Sequence, residues 1–342
     1  MELNELNKDA QGGTETMARG LEARLPTDLM SNFQVICSRV RTLDETKLRV
    51  LWLHDLPGDP ESDHLANGGW QKFHKLVFVS NWQMQQYCAH YKIPWHVCEV
   101  IHNAIEPFDK DVIEKKLNDR PMWFEGGHKL NKINIIYHTT PHRGLTLLVP
   151  AVKELAKKHP EIHLDVYSSF KIYGWPDRDK DFASLFESIA GDPNMTYHGF
   201  KPNEEVRKGL ENADIFAYPS TWPETSCISL MEGMSAGLVC VHPNLAALYE
   251  TAANWTTQYQ WLEDQSSHAS RVYSILDITV QAIKDGTQPI SILRGQKSYA
   301  DLFYSWDYCV PIWQGLLESL VSSNAPRALP VVSTGPSFEY KV

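Results

Sequence analysis

The chain has 342 residues, 42 acidic against 32 basic, with a net charge of -10 and 43% hydrophobic residues. A length prior of roughly 100 to 200 residues per domain predicts two domains, and the negative charge argues against a phosphate backbone or an anionic membrane as the main partner, a local basic patch aside. No apolar run reaches the ~18 residues of a membrane span, the start MELNELNKDAQ is too polar for a signal peptide, and Cys37, Cys88, Cys98, Cys227, Cys240 and Cys309 lack any ligand spacing. These features predict a cytoplasmic protein with reduced thiols, no transmembrane segment and no nucleic-acid partner.

In chain order, strands are predicted at QVICSRV (34–40), RVLWLHDL (49–56), KLVFVSN (75–81) and CEVIHNA (98–104), with WQMQQYCAHY helical between the last two. The rhythm restarts after the Gly-containing, charged stretch FEGGHKLNK (124–132), the predicted linker. INIIYHT (133–139), IHLDVYSS (162–169), MTYHGF (195–200), DIFAYPS (214–220) and LVCVHP (238–243) read as strands. LTLLVPAVKELAKKH, VRKGLENA and PETSCISLMEG (223–233) read as helices, the last starting near Thr225 or Ser226. Alternating strands and helices predict an α/β chain of two doubly wound parallel-sheet domains facing a cleft, where strand ends and helix N-termini converge on ligands. The tail from Asn324, rich in Pro and Ser, is expected to be poorly ordered.

Four stretches would line that cleft. In AQGGTETMARGLEARL, Gly12 and Gly13 permit close backbone approach and Thr14 can cap a helix whose N-terminus favours an anion, although an ordinary helix start fits equally well. In IIYHTTPHRGLTLL, the strand ends at His138, Thr139 and Thr140 make a hydroxylated turn, and Arg143 can clamp a diphosphate, with a surface arginine as the alternative. In PETSCISLMEG, Glu224 and Glu232 stand eight positions apart, roughly 12 Å along a helix at its usual rise, about the reach from a sugar across two phosphates to a ribose. The competing reading is a helix with one acid in its first turn and another on a solvated face. VLWLHDLP delivers His54 and Asp55 to a loop, where His54 can shuttle a proton and Asp55 orient it, or where His54 is simply a strand-end histidine bonded to backbone.

The ordered set GGTE, His54 after a strand, Ser80 with Asn81, VIHNAIEP, PHRG, HGF, ADIFAYPS and the glutamate pair resembles the retaining nucleotide-sugar glycosyltransferases of family 4, with the GT-B fold. The resemblance is dense from Ile133 to Glu250 and sparser before it. It implies an acceptor-side domain over 1–125, a donor-nucleotide-binding domain over 126–301, a last helix over 302–323 (within FYSWDYCVPIWQGLLESL) crossing back to the first domain, and a tail over 324–342. It implies that Gly12, Gly13 and Thr14 meet the donor diphosphate, that His54 contacts the donor sugar, and that Arg143 holds the phosphates where the family has Lys before Gly. Glu224 and Glu232 match the two signature acids, with Thr225, Ser226, Cys227 and Ile228 donating backbone N–H groups between them, and Phe200 and Lys201 receive the base.

Two departures accompany the resemblance. Tyr137 and His138 replace an arginine that the family carries before its Lys-Gly pair, so His138 is expected to take over its role. MELNELNKDA is too polar and short for the buried strand that usually precedes the glycine loop, which implies a trimmed or unusually polar first strand. The pair Asp177 and Asp179 in GWPDRDKDF offers a rival cation site, but a charge run of this kind reads as a solvated loop.

The implied reaction is metal-independent transfer from a nucleoside-diphosphate sugar to a hydroxyl of a glycan, a lipid-linked or a small-molecule acceptor, with retention of anomeric configuration. His54, Asp55, Arg143 and Glu224 are its expected catalytic residues, and no cofactor is expected. A nucleotide-sugar epimerase or phosphorylase on the same fold, and a non-catalytic sugar-nucleotide or glycan binder, stand as alternatives. The acceptor contacts are expected on loops such as GDPESDHLANGG (58–69).

Overall fold

The computed structural model describes residues 12–119 and 132–323. The linker residues 124–131, the question of an initial strand and the tail from Asn324 lie outside them. The chain divides into two compact units, one containing residues up to Ala104 together with Trp306 onward, the other running from Ile105 to Ser305.

The first unit holds four parallel strands in the order β1 (Phe33–Cys37), β2 (Leu48–Leu53), β3 (Lys75–Phe78), β4 (Cys98–Val100). Their runs FQVIC, LRVLWL and KLVF are apolar almost throughout, as strands covered on both faces require. The helix Asn81–Tyr91 starts with a reciprocal cap: Ser80 Oγ accepts the Gln83 N–H at 3.0 Å, and Gln83 Oε1 accepts the Val79 N–H at 2.9 Å. The helix Trp306–Ser322 belongs to this unit and places Trp313 edge-on to Trp52, ring centroids 4.8 Å apart. A Cβ at Gly20 would lie 2.2 Å from the Trp306 ring, so glycine is what lets that indole seat against the helix Gly13–Glu22.

The second unit holds six parallel strands: β5 (Ile133–Tyr137), β6 (Ile162–Val166), β7 (Met195–Tyr197), β8 (Ile215–Ala217), β9 (Val239–Pro243) and β10 (Thr257–Tyr259). Their order is β10-β9-β8-β5-β6-β7. From β5 the chain moves one way to β6 and β7, then returns to the other side of β5 to lay down β8, β9 and β10. The neighbours β5 and β8 therefore form the switch point, where loops leaving the carboxyl ends diverge and open a crevice. Register across it pairs Ile135 with Ile215 and Ile136 with Phe216.

One strand was not predicted, and two sequence expectations are corrected here. The edge strand β10 is absent from the prediction because TQY is three residues long and polar, which gives periodicity nothing to detect. Residues 110–119, which the implied boundary assigns to the first domain, form the helix Lys110–Asp119, and this groups with the second unit because Ile113 and Leu117 enter its core with Ile105 and Phe108. The helix after β8 runs from Ile228 to Ser235 rather than from Thr225 or Ser226, because Cys227 stays extended (φ -111°, ψ 91°) as its cap residue. Glu224 thus precedes the helix by four residues, and the 12 Å helical span does not apply to the glutamate pair.

Candidate active site

The switch point collects the polar residues of the second unit. β5 ends at Tyr137, and a tight turn carries His138, Thr139 and Thr140 to Arg143; the Tyr137 hydroxyl donates to the Thr140 carbonyl at 2.8 Å and fixes the turn. β8 ends at Ala217, and Tyr218 and Pro219 lead into the loop bearing Glu224. The two loops are joined directly: Thr221 Oγ1 donates to the His142 carbonyl at 3.2 Å, and Gly144 passes against Pro219. Gly144 has φ 110°, and a Cβ there would sit 2.0 Å from the Pro219 carbonyl oxygen. Gly144→Ala is accordingly expected to cost about 2 kcal/mol of stability, measured by urea unfolding, through backbone strain and the forced separation of the loops.

Arg143 Nη1 donates to Glu224 Oε1 at 2.5 Å, and Arg143 Nη2 donates to the Tyr173 hydroxyl at 3.3 Å. The Tyr218 hydroxyl donates to the same Glu224 oxygen. The Glu224 side chain is 6% exposed and that of Arg143 21%. Burial pulls the Arg143 pKa down, but the Glu224 carboxylate more than compensates, so the guanidinium stays charged. Around this pair, His138 Nε2, Thr139 Oγ1, Arg143 Nε and Ser226 Oγ are buried with no hydrogen-bond partner among the described residues. Buried polar atoms without partners are costly, and several of them on the loops that follow β5 and β8 make this edge the candidate for a polar ligand.

Glu232 lies on the helix Ile228–Ser235, whose first N–H groups point away from its own hydrogen-bond ladder. Its carboxylate is 3.7 Å from Arg207 Nη1 and 4.0 Å from His138 Nδ1. Burial raises the Glu232 pKa to about 7, with Arg207 acting in the opposite direction. Arg207 is itself held over the Phe108 ring, 3.8 Å from its centroid. His138 is pushed down to about 4 by burial, against a hydrogen bond with the Ser229 backbone. The expectation that His138 replaces an arginine therefore fails: the ring is neutral near pH 7 and contributes hydrogen bonding without charge. Cys227 is buried, and burial followed by the Glu224 charge holds its thiol well above the usual range, so it serves as a backbone element and not as a nucleophile.

Phe200 and Lys201 follow β7 on the same carboxyl edge; Phe200 is exposed, and Lys201 pairs with Glu205 at 3.2 Å. Asp179 accepts from Ser169 Oγ at 2.5 Å and from the Phe170 N–H at 2.8 Å, while Asp177 pairs with Lys180 at 2.8 Å. Both acids are thus built into their own loop, and no group of three or more metal-ligating side chains occurs among the described residues.

The remaining predicted residues lie in the first unit. Gly12 is buried and is the cap residue of the helix Gly13–Glu22, with no side-chain cap, so Thr14 sits inside the first turn and does not cap it. His54 follows β2, its ring against Trp52 at 4.6 Å. Burial lowers its pKa to about 3, with the Trp52 backbone opposing, which makes it a neutral hydrogen-bonding group. Burial raises Asp55, while Arg39 and a Ser38 hydrogen bond lower it. Sequence reading did not single out Tyr218, Tyr173 or Arg207. Tyr218 was visible only as a strand-end aromatic, and Arg207 as one charge on an amphipathic helix.

Residues 125–278 match the sequence profile of the glycosyl transferases group 1. An uncharacterized glycosyltransferase of Methanocaldococcus jannaschii is 22% identical over 180 residues, a stretch spanning 52% of this chain and 44% of that relative. The fold is similar to that of a glycosyltransferase from Rickettsia africae, with TM-score 0.62 and 16% identity over 93% of this chain and 84% of that one. It is also similar to Anabaena HepE in complex with UDP-glucose, with TM-score 0.57 and 15% identity over 81% of this chain and 72% of that one. Residues 125–278 are thus similar to the glycosyl transferases group 1, and the two parallel-sheet units have the fold of the solved GT-B glycosyltransferases.

Proposed function

We propose that the chain transfers a glycosyl unit from a nucleoside-diphosphate sugar to an acceptor hydroxyl with retention of configuration and without a divalent metal. The observation that carries this reading is the buried Arg143–Glu224 pair at the β5/β8 switch point, ringed by partnerless hydrogen-bonding atoms. As the glycosidic bond breaks, the leaving diphosphate gains negative charge, which Arg143 and the N-terminus of the helix Ile228–Ser235 are suited to stabilise. Glu224 accepts hydrogen bonds from the donor sugar and Glu232 from the ribose. With no carboxylate assigned as a covalent nucleophile, the acceptor attacks from the leaving group's face, and its proton passes to the departing phosphate oxygen.

HepE in complex with UDP-glucose and the pneumococcal GtfA in complex with UDP and GlcNAc make uridine nucleotides the first donors to test. The expected result is a rise in melting temperature with one nucleoside diphosphate and its sugar, corresponding to about 3 kcal/mol at a hundredfold excess over Kd, unchanged by EDTA. Dependence on magnesium would remove the metal-free part of the proposal and return attention to Asp177 and Asp179. Product analysis then separates the chemistry: an epimerised donor without acceptor, sugar phosphate formed from inorganic phosphate, or binding without turnover would each displace glycosyl transfer.

A further inference from the structure

We infer that Tyr218 is a positioning residue that holds the Glu224 carboxylate in its sugar-binding orientation, independently of Arg143. The inference rests on the donor site proposed above. Tyr218 is fully buried at the end of β8, its N–H donates to the Val241 carbonyl at 2.9 Å, and its ring packs on Phe216 and Tyr137 at centroid distances of 5.7 and 6.2 Å. Backbone and ring are thus both pinned, so the phenol oxygen occupies a fixed point. From that point it donates to Glu224 Oε1.

Arg143 Nη1 addresses the same oxygen, so both side-chain hydrogen bonds that Glu224 makes within the described residues arrive at Oε1 and leave Oε2 as the acceptor for a ligand. The two donors are not equivalent. Arg143 has a second duty toward the diphosphate, and a guanidinium that turns to phosphate loosens its hold on Glu224 when the sugar must be gripped. The tyrosine has no such second duty, and burial together with the Glu224 charge keeps its proton in place. A strand-end aliphatic side chain would fill the same volume but leave the carboxylate free to rotate.

The test compares wild type, Tyr218→Phe and Tyr218→Leu by calorimetric titration with three pairs of probes: UDP-glucose and UDP, GDP-mannose and GDP, ADP-glucose and ADP. For the pair that binds wild type, both variants are expected to lose about tenfold in affinity for the sugar nucleotide while the nucleoside diphosphate stays within about twofold, the loss of one charge-assisted hydrogen bond to the sugar-holding acid. In a Glu224→Ala background the Tyr218→Phe change is expected to leave that ratio unmoved. An unchanged ratio in wild-type background, even with a lower melting temperature, overturns the assignment while leaving the donor site standing. An equal fall in the Glu224→Ala background overturns it as well. Failure of every probe to bind wild type overturns the donor site and the assignment together.

Discussion

Arg143→Ala is expected to lower turnover about 100- to 1,000-fold, the loss typical when a preorganised charge partner of a developing anion is removed. The same substitution strands Glu224, 6% exposed, without its counter-ion, so stability should also fall by about 3 kcal/mol. For a unit of this size that corresponds to roughly 6 to 12 °C in melting temperature. Because one change produces both effects, activity alone does not separate catalysis from folding. The double variant Arg143→Met with Glu224→Leu does: replacing a buried ion pair by apolar side chains of similar volume is often neutral or stabilising. It is expected to melt within a few degrees of wild type and to be as inactive as the single variant. Recovery of turnover along with stability would show that the pair merely holds the loops together. Arg143→Lys retains the charge but not the fork that reaches Glu224 and Tyr173 at once, and should fall between the two.

Why some of this site was legible in the sequence and some was not follows from what each feature depends on. The strands β1 to β9 stand out because each is a short apolar run between turn residues, and the carboxyl-edge position of Arg143 and Glu224 follows from strand-loop-helix order alone. The start of the helix after β8 does not follow, since Thr225 and Ser226 are good cap residues and only the extended backbone at Cys227 delays the first turn to Ile228. The charge state of His138 was equally hidden. A histidine in place of an arginine reads as a weaker cation, but its burial beside Phe216, with ring centroids 5.1 Å apart, leaves it neutral. Arg207 supplies charge to Glu232 from the helix Asn203–Asn212, on the other side of β8 in the chain, and that juxtaposition exists only once the two helices have packed. Sequence order therefore locates the carboxyl edge that bears the candidate site, while its electrostatics belong to the packing.

Glu232 carries the second large effect, because burial raises its carboxyl into the neutral pH range. Its pKa rises from 4.5 to about 7; His138 and His142, lowered from 6.5 to about 4, contribute a slope of the opposite sign that Glu232→Gln leaves in place. The native state therefore binds a proton that the unfolded chain has released between pH 4.5 and 7. Stability contributed by this proton is fully present below pH 4.5 and is lost as pH rises through 7, by about 3 kcal/mol in all. Glu232→Gln is expected to remove that part of the pH dependence in urea unfolding between pH 5 and 8. Ligand binding should run in the opposite direction, since only the ionised carboxylate can accept hydrogen bonds from both ribose hydroxyls. Affinity for a nucleoside diphosphate is thus expected to fall by roughly tenfold per pH unit below the Glu232 midpoint, in wild type and not in Glu232→Gln. Arg207→Gln removes the charge that opposes the effect of burial and should move the midpoint upward. Affinity that stays flat from pH 5.5 to 8 in wild type would mean that Glu232 does not touch the ribose. A midpoint unmoved in Arg207→Gln would mean that the guanidinium, 3.7 Å away, is screened from it.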